Sequence, residues 1–135
     1  MISALSDQST GAEWGCDSES IGGTSTDFGT GAANTIKIVA ECEDIGYAAK
    51  ICSNLVLGGY SDWFLPSHDE LKIMYEFLKL QGYGNFANVS YWSSSEGWGF
   101  WSPTWAYGYD FLNGTNTAVM SPKSILLHVR AIRAF

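Results

Sequence analysis

One change of period constrains this chain more than any other feature. From Asn34 to about Gly82 the apolar residues recur at helical spacing, and after residue 88 the pattern turns to strands and turns. The helical side is anchored by Pro66-Ser67-His68-Asp69-Glu70. Ser67 and Glu70 form an S-x-x-E capping box, in which each side chain satisfies a backbone N–H that the first helical turn leaves open. Asp69 and Glu70 also sit where the helix dipole is positive. Leu71, Met74, Tyr75 and Leu78 follow on one face, and Gly82 is the stop, so the spacing predicts a helix over 67–80.

Upstream, Ile36, Val39 and Ala40 fall at helical spacing with Asn34 as N-cap. Asp44 is expected to cap a second segment in which Ala48, Ile51, Cys52 and Leu55 share a face before Gly58-Gly59 ends it. The pair reads as two short helices or one kinked helix. Residues 8–33 hold six glycines among Ser, Thr and Asp and read as loop, pinned by Trp14 and Phe28. Residues 2–6, ISALS, read as a short strand. Downstream, Tyr91–Ser94 and Thr104–Phe111 read as strands, Asn113-Gly114 as a hairpin turn, and 125–135 as a final strand buried on both faces. Helices first and an antiparallel sheet afterwards give an α+β class. The length fits one domain, 1–135.

The stretch 91–111 concentrates nine aromatic residues among Gly, Ser, Pro and Thr. Large rigid rings beside small adaptable residues suit a binding surface, and the competing reading is an aromatic sheet core. The residues expected to bind are Trp98, Phe100, Trp101, Trp105, Tyr107, Tyr109, Leu112, Thr115 and Thr117. Trp105, Tyr107 and Tyr109 alternate along one strand and so share a face, forming a large apolar row if that face is open.

Charge narrows the partners. The net charge is −7, and Asp110 is the only formal charge between Glu96 and Lys123. An acidic chain without a basic stripe argues against nucleic acid and against anionic lipid. No apolar run of about 18 residues is present to span a membrane, and no signal peptide is visible. Cys16, Cys42 and Cys52 show no CxxC spacing, so a structural zinc site is not expected, and no cofactor is. Cys52 reads as a small buried hydrophobe. Cys16 and Cys42 can pair in an oxidising compartment, which sequence alone leaves open. Glu96 is expected to ion-pair with Arg130 or Arg133, with ligand contact as the alternative. Serines 93–95 read as satisfying buried backbone and not as nucleophiles, because no histidine–carboxylate pair stands at hydrolase-like spacing.

Five pieces also match one family pattern. They are SDQSTGAEWGC at 6–16, the stretch from Asn34 through Ala48-Ala49 to Cys52, GGYSDWFLPSHDEL at 58–71, YWSSSE at 91–96 and VRAIRAF at 129–135. Together they resemble the bacterial and phage domain family named for the C-terminal domain of Legionella collagen-like protein. The resemblance implies a C-type lectin-like fold, with two helical regions packed on a twisted antiparallel sheet. Relatives usually begin with an extra strand before the position of Ile2. A narrower resemblance is to variable proteins diversified by retroelements, in which YWSSSE-like and VRAVRAF-like elements bracket a hypervariable segment. It implies that 97–128 is a variable ligand-binding segment. Trp98 and Trp101 depart from that pattern, because changing adenines in asparagine codons does not reach tryptophan. The Glu-Pro-Asn and Trp-Asn-Asp motifs of calcium-dependent lectins are missing, so metal-dependent sugar chelation does not carry over. The resemblance thus implies a non-catalytic recognition domain for a protein or glycan target on a cell surface. Its expected place is extracellular, on a cell or a phage tail, with homo-oligomerisation through a parent protein possible. The alternatives are an assembly module using the aromatic face and, more remotely, an enzyme like the formylglycine-generating enzymes. The latter act through late cysteines, and here no cysteine follows Cys52.

Overall fold

The two periods of the sequence become a sheet with helices on both of its faces. The structure, a computed structural model, describes residues 1–114 and 119–134. In chain order the elements are β1 (Ile2–Ser3), β2 (Ser9–Ala12), α1 (Gly31–Glu41), α2 (Ala48–Ser53), α3 (His68–Phe77), β3 (Ser90–Glu96), β4 (Trp105–Asp110), β5 (Val119–Pro122), β6 (Leu127–Val129) and β7 (Ile132–Arg133). The class is α+β. Five strands form one sheet in the order β2-β6-β3-β4-β5, and β1 pairs with β7 in a second sheet. Within the expected antiparallel sheet one pairing is parallel: β3 and β6 run in the same direction, with Tyr91 opposite His128. The chain enters β6 from the far edge strand β5, so it reaches β3 in the same direction.

Alternation along β3 and β4 builds two cores. Trp92 faces one side with Trp14, Ile38, Tyr47, Ala48, Cys52, Ala106 and Val129, under α1 and α2. Tyr91 faces the other with Leu71, Met74, Tyr75, Phe86, Tyr109 and Phe111, under α3. Each large apolar side chain so buried stabilises the fold by about 1.5–3 kcal/mol. Trp92 lies opposite Gly108 in the β3–β4 ladder. A Cβ at Gly108 would stand 3.1 Å from the Tyr91 carbonyl oxygen and 3.2 Å from Leu127, so a side chain there would be tight and its neighbours would have to shift by a few tenths of an ångström.

The capping box forms as the sequence predicts. The Glu70 N–H donates to Ser67 Oγ at 3.3 Å, and the Ser67 N–H donates to Glu70 Oε1 at 2.7 Å. Ser67 Oγ also donates to the Asp27 carbonyl at 2.9 Å, which docks the helix start on the preceding loop. After α3 a 3-10 turn, Lys79–Gln81, ends at Gly82 with φ 81°.

Several expectations change. Helix α1 starts at Gly31 and not at Asn34. Asn34 lies inside it and is buried, donating to the Ser25 carbonyl at 2.7 Å and to Ser94 Oγ at 3.2 Å. Its amide serves tertiary anchoring in place of capping. Asp44 caps no helix; it accepts from the Cys16 N–H at 2.8 Å. Cys16 and Cys42 are joined in a disulfide with Cα atoms 5.7 Å apart, tying the long loop after β2 to the end of α1. The strand expected over 125–135 is split into β6 and β7 at Arg130, which is fully buried and turns its guanidinium inward. There Nε donates to Asp7 Oδ1 at 2.9 Å, and Nη1 donates to the Ala4 carbonyl at 2.8 Å. Asp7 also meets His128 Nδ1 at 2.7 Å and accepts from the Tyr91 hydroxyl at 2.9 Å. Burial and the neighbouring Asp7 push the Tyr91 phenol up to about 12.

Candidate aromatic recognition site

The loop between β3 and β4 carries the exposed aromatics, and a buried ion pair fixes its base. Glu96 ends β3 with its carboxylate buried. It accepts from Lys123 Nζ at 2.7 Å and from the N–H groups of Ile21 and Gly22 at 2.8 and 2.9 Å. Lys123, wholly buried, donates also to the Glu19 carbonyl at 2.8 Å, and its ammonium sits 4.6 Å from the Trp14 ring centre. A charge pair so enclosed is stable because hydrogen bonds beyond the pair itself satisfy both ions. The expected pairing of Glu96 with Arg130 or Arg133 is thereby corrected. Arg130 belongs to Asp7, and Arg133 pairs with Asp62 at 2.8 Å. Those partners lie far away in sequence, beyond the reach of local pattern.

From this base the loop turns tightly. The Gly97 N–H donates to the Trp105 carbonyl at 2.8 Å, and the Lys123 N–H to the Thr104 carbonyl at 2.8 Å. A Cβ at Gly97 would stand 2.7 Å from the Trp105 carbonyl oxygen, so only glycine allows the strands to close here. A 3-10 turn, Gly99–Trp101, then lifts the rings into solvent. Trp98 is 71% exposed, Phe100 87% and Trp101 43%. Phe100 and Trp101 pack edge to face, with centroids 5.3 Å apart at 86°. Trp101 and Trp105 are also near-perpendicular, 6.1 Å apart at 86°. Between the two tryptophans and Met120 lies an open notch of about 230 Å³. The Ser20 and Ser102 hydroxyls are hydrogen-bonded, so the loop carrying the exposed acids Asp17 and Glu19 borders the aromatic one.

Not every expected residue joins this patch. Trp105 is half-buried at its edge. Tyr107 and Tyr109 are 8% and 3% exposed, so they do not project. Their shared face is real, but α3 covers it. The His68 ring lies 5.5 Å from Tyr107 and 5.7 Å from Tyr109, and Tyr75 lies 5.6 Å from Tyr109. Burial raises the Tyr109 phenol pKa, aided by Glu76, Tyr75 and Asp110. Leu112 is exposed but lies past the opposite end of β4, roughly 20 Å along the strand from Trp105. Thr115 and Thr117 lie outside the described residues. Lys123, Met120 and Ser20 are the contributors that sequence reasoning missed. Lys123 had a signal, as the only lysine or arginine between Lys79 and Arg130.

The serines of β3 are engaged. Ser93 Oγ donates to the Tyr107 carbonyl, and Ser95 Oγ donates to the Ser25 carbonyl at 2.8 Å. Burial pushes the Cys52 thiol well above its usual range. Cys16, Cys42 and Asp44 place their ligand atoms within 4.8 Å of one another. The two sulfurs are bonded to each other and offer no thiolate to a metal. Among the described residues no helix is long and apolar enough to cross a membrane.

A search of curated proteins returns no match. A family model, described as the Lcl C-terminal domain, matches residues 3–133. With nearly the whole chain matched, this protein belongs to the Lcl C-terminal domain family.

Proposed function

We propose that the chain is a non-catalytic target-recognition domain displayed on a cell or virion surface. The carrying observation is the aromatic loop: Trp98, Phe100 and Trp101 stand in solvent on a base fixed by Glu96 and Lys123. Rigid rings on an ordered base lose little entropy on binding, and central aromatics dominate interface energies. The disulfide supports an exported location, since such bonds persist in oxidising compartments. The buried Cys52 and the engaged serines support the non-catalytic part. Family membership supports a C-type lectin-like scaffold, and the target class is a protein or glycan. Residues 97–128 lie between YWSSSE and VRAIRAF, whose described residues are mostly buried, and this supports reading them as the variable segment. A reverse transcriptase gene with a near-copy of codons 96–135 beside the coding region tests diversification.

Arrays of surface proteins and glycans, probed with the wild type and with Trp101→Ala, test recognition. We expect at least one target whose binding falls tenfold or more in the variant, about 1.4 kcal/mol. The same patch also fits a sister subunit. Sedimentation decides between them: a dimer that Trp101→Ala splits would replace recognition with assembly.

A further inference from the structure

We infer that the notch between Trp101, Trp105 and Met120 binds a quaternary ammonium group of the choline type; this rests on the recognition reading above. The two indole rings are near-perpendicular, 6.1 Å apart at 86°, and the space they line with Met120 is open. A cation placed there is lined by two aromatic rings, whose quadrupoles attract a cation over the ring face within roughly 6 Å. Among the described residues the lining is a thioether and two indole rings, whose only hydrogen-bonding groups are the indole N–H donors. A sugar or a primary ammonium needs acceptors and donors to replace its water. A trimethylammonium group carries charge without an N–H, so an apolar aromatic corner costs it little. Charge agrees with this choice. The only lysine or arginine in 97–128 is Lys123, which is buried and neutralised by Glu96. The exposed Asp17 and Glu19 stand on the bordering loop held by the Ser20–Ser102 contact. Acids on a bordering loop disfavour an anion nearby and favour a cation.

The test is a titration of the whole chain by tryptophan fluorescence and calorimetry with three probes. They are choline, tetramethylammonium and 3,3-dimethylbutanol, the uncharged carbon isostere of choline. We expect saturable binding of the two cations, with the alcohol at least tenfold weaker. Trp101→Ala should reduce choline affinity at least tenfold at an unchanged melting temperature, and Trp101→Phe should restore part of it. Phosphocholine in solution and phosphatidylcholine vesicles, run in parallel, separate a polymer-borne headgroup from a membrane one. Equal affinity for the alcohol would reduce the notch to a general apolar site and overturn the inference, as would silence towards choline. A choline-silent protein that still loses its array target through Trp101→Ala would sink this ligand class while leaving recognition intact.

Discussion

Trp101 and Tyr107 are close in sequence and similar in chemistry, yet one lies in solvent and the other is buried. The tyrosine row of β4 is flat strand, and α3 lies across it. The tryptophan loop rises beyond the end of that helix, from a base tied to Glu96 and Lys123. Aromatic content therefore does not decide between core and binding surface. The decision falls to whichever element packs over the residue, and that element comes from another part of the chain.

The contrast can be broken most severely at the base. Lys123→Ala leaves the Glu96 carboxylate buried without its cation and should destabilise by roughly 3–5 kcal/mol. Denaturant melts measure this; a Glu96→Gln, Lys123→Met double variant should recover part of the loss. A loss below about 1 kcal/mol would mean that the loop does not depend on the pair. Next comes the covered row. Tyr109→Ala opens a cavity under α3 and should cost about 3 kcal/mol, with a matching drop in urea midpoint. Ser67→Ala weakens the start of the covering helix by about 1 kcal/mol. Hydrogen exchange should show faster opening of α3 in that variant, with the 97–104 loop unchanged. The smallest effect belongs to the exposed ring: Phe100→Ala should shift stability by no more than about 0.5 kcal/mol. Early melting of this variant would place the loop in the core and erase the contrast.

The legibility of the sequence tracks the range of the interactions. The capping box at Ser67 and Glu70 is complete within four residues, and it forms as read. Strand alternation correctly put Trp105, Tyr107 and Tyr109 on one face. It could not say that a helix starting at His68 covers that face, because register along one strand carries no information about its neighbours. Asn34 looked like a cap because capping is a common local use of asparagine; its actual partners are Ser25 and Ser94. The disulfide was one open possibility, and its pairing depends on loop closure that no spacing rule fixes. Trp98, Phe100 and Trp101 were read as binding residues alongside Tyr107 and Tyr109, and sequence alone did not separate the exposed three from the buried pair. The platform under the exposed three was not legible either, since it joins residues 19–22, 96 and 123.

The closure of the fold on itself has a consequence for how the molecule is made. Ile2 pairs with Arg133, the Gln8 N–H donates to the Val129 carbonyl at 2.8 Å, and Arg130 grips Asp7. The segment around Ile2 to Gln8 must therefore wait for synthesis to reach residues 129–133 before its strand pairing and its arginine contact can form. Contacts this distant in sequence are slow to form, because the chain loses its loop entropy before they reward it. A chain stopped early would leave Asp7 without the Arg130 guanidinium and its first strand without an edge to join, and it would remain open to proteolysis. Changes within 97–104 leave that closing step untouched, so a substituted aromatic loop meets the same test of completion as the wild type.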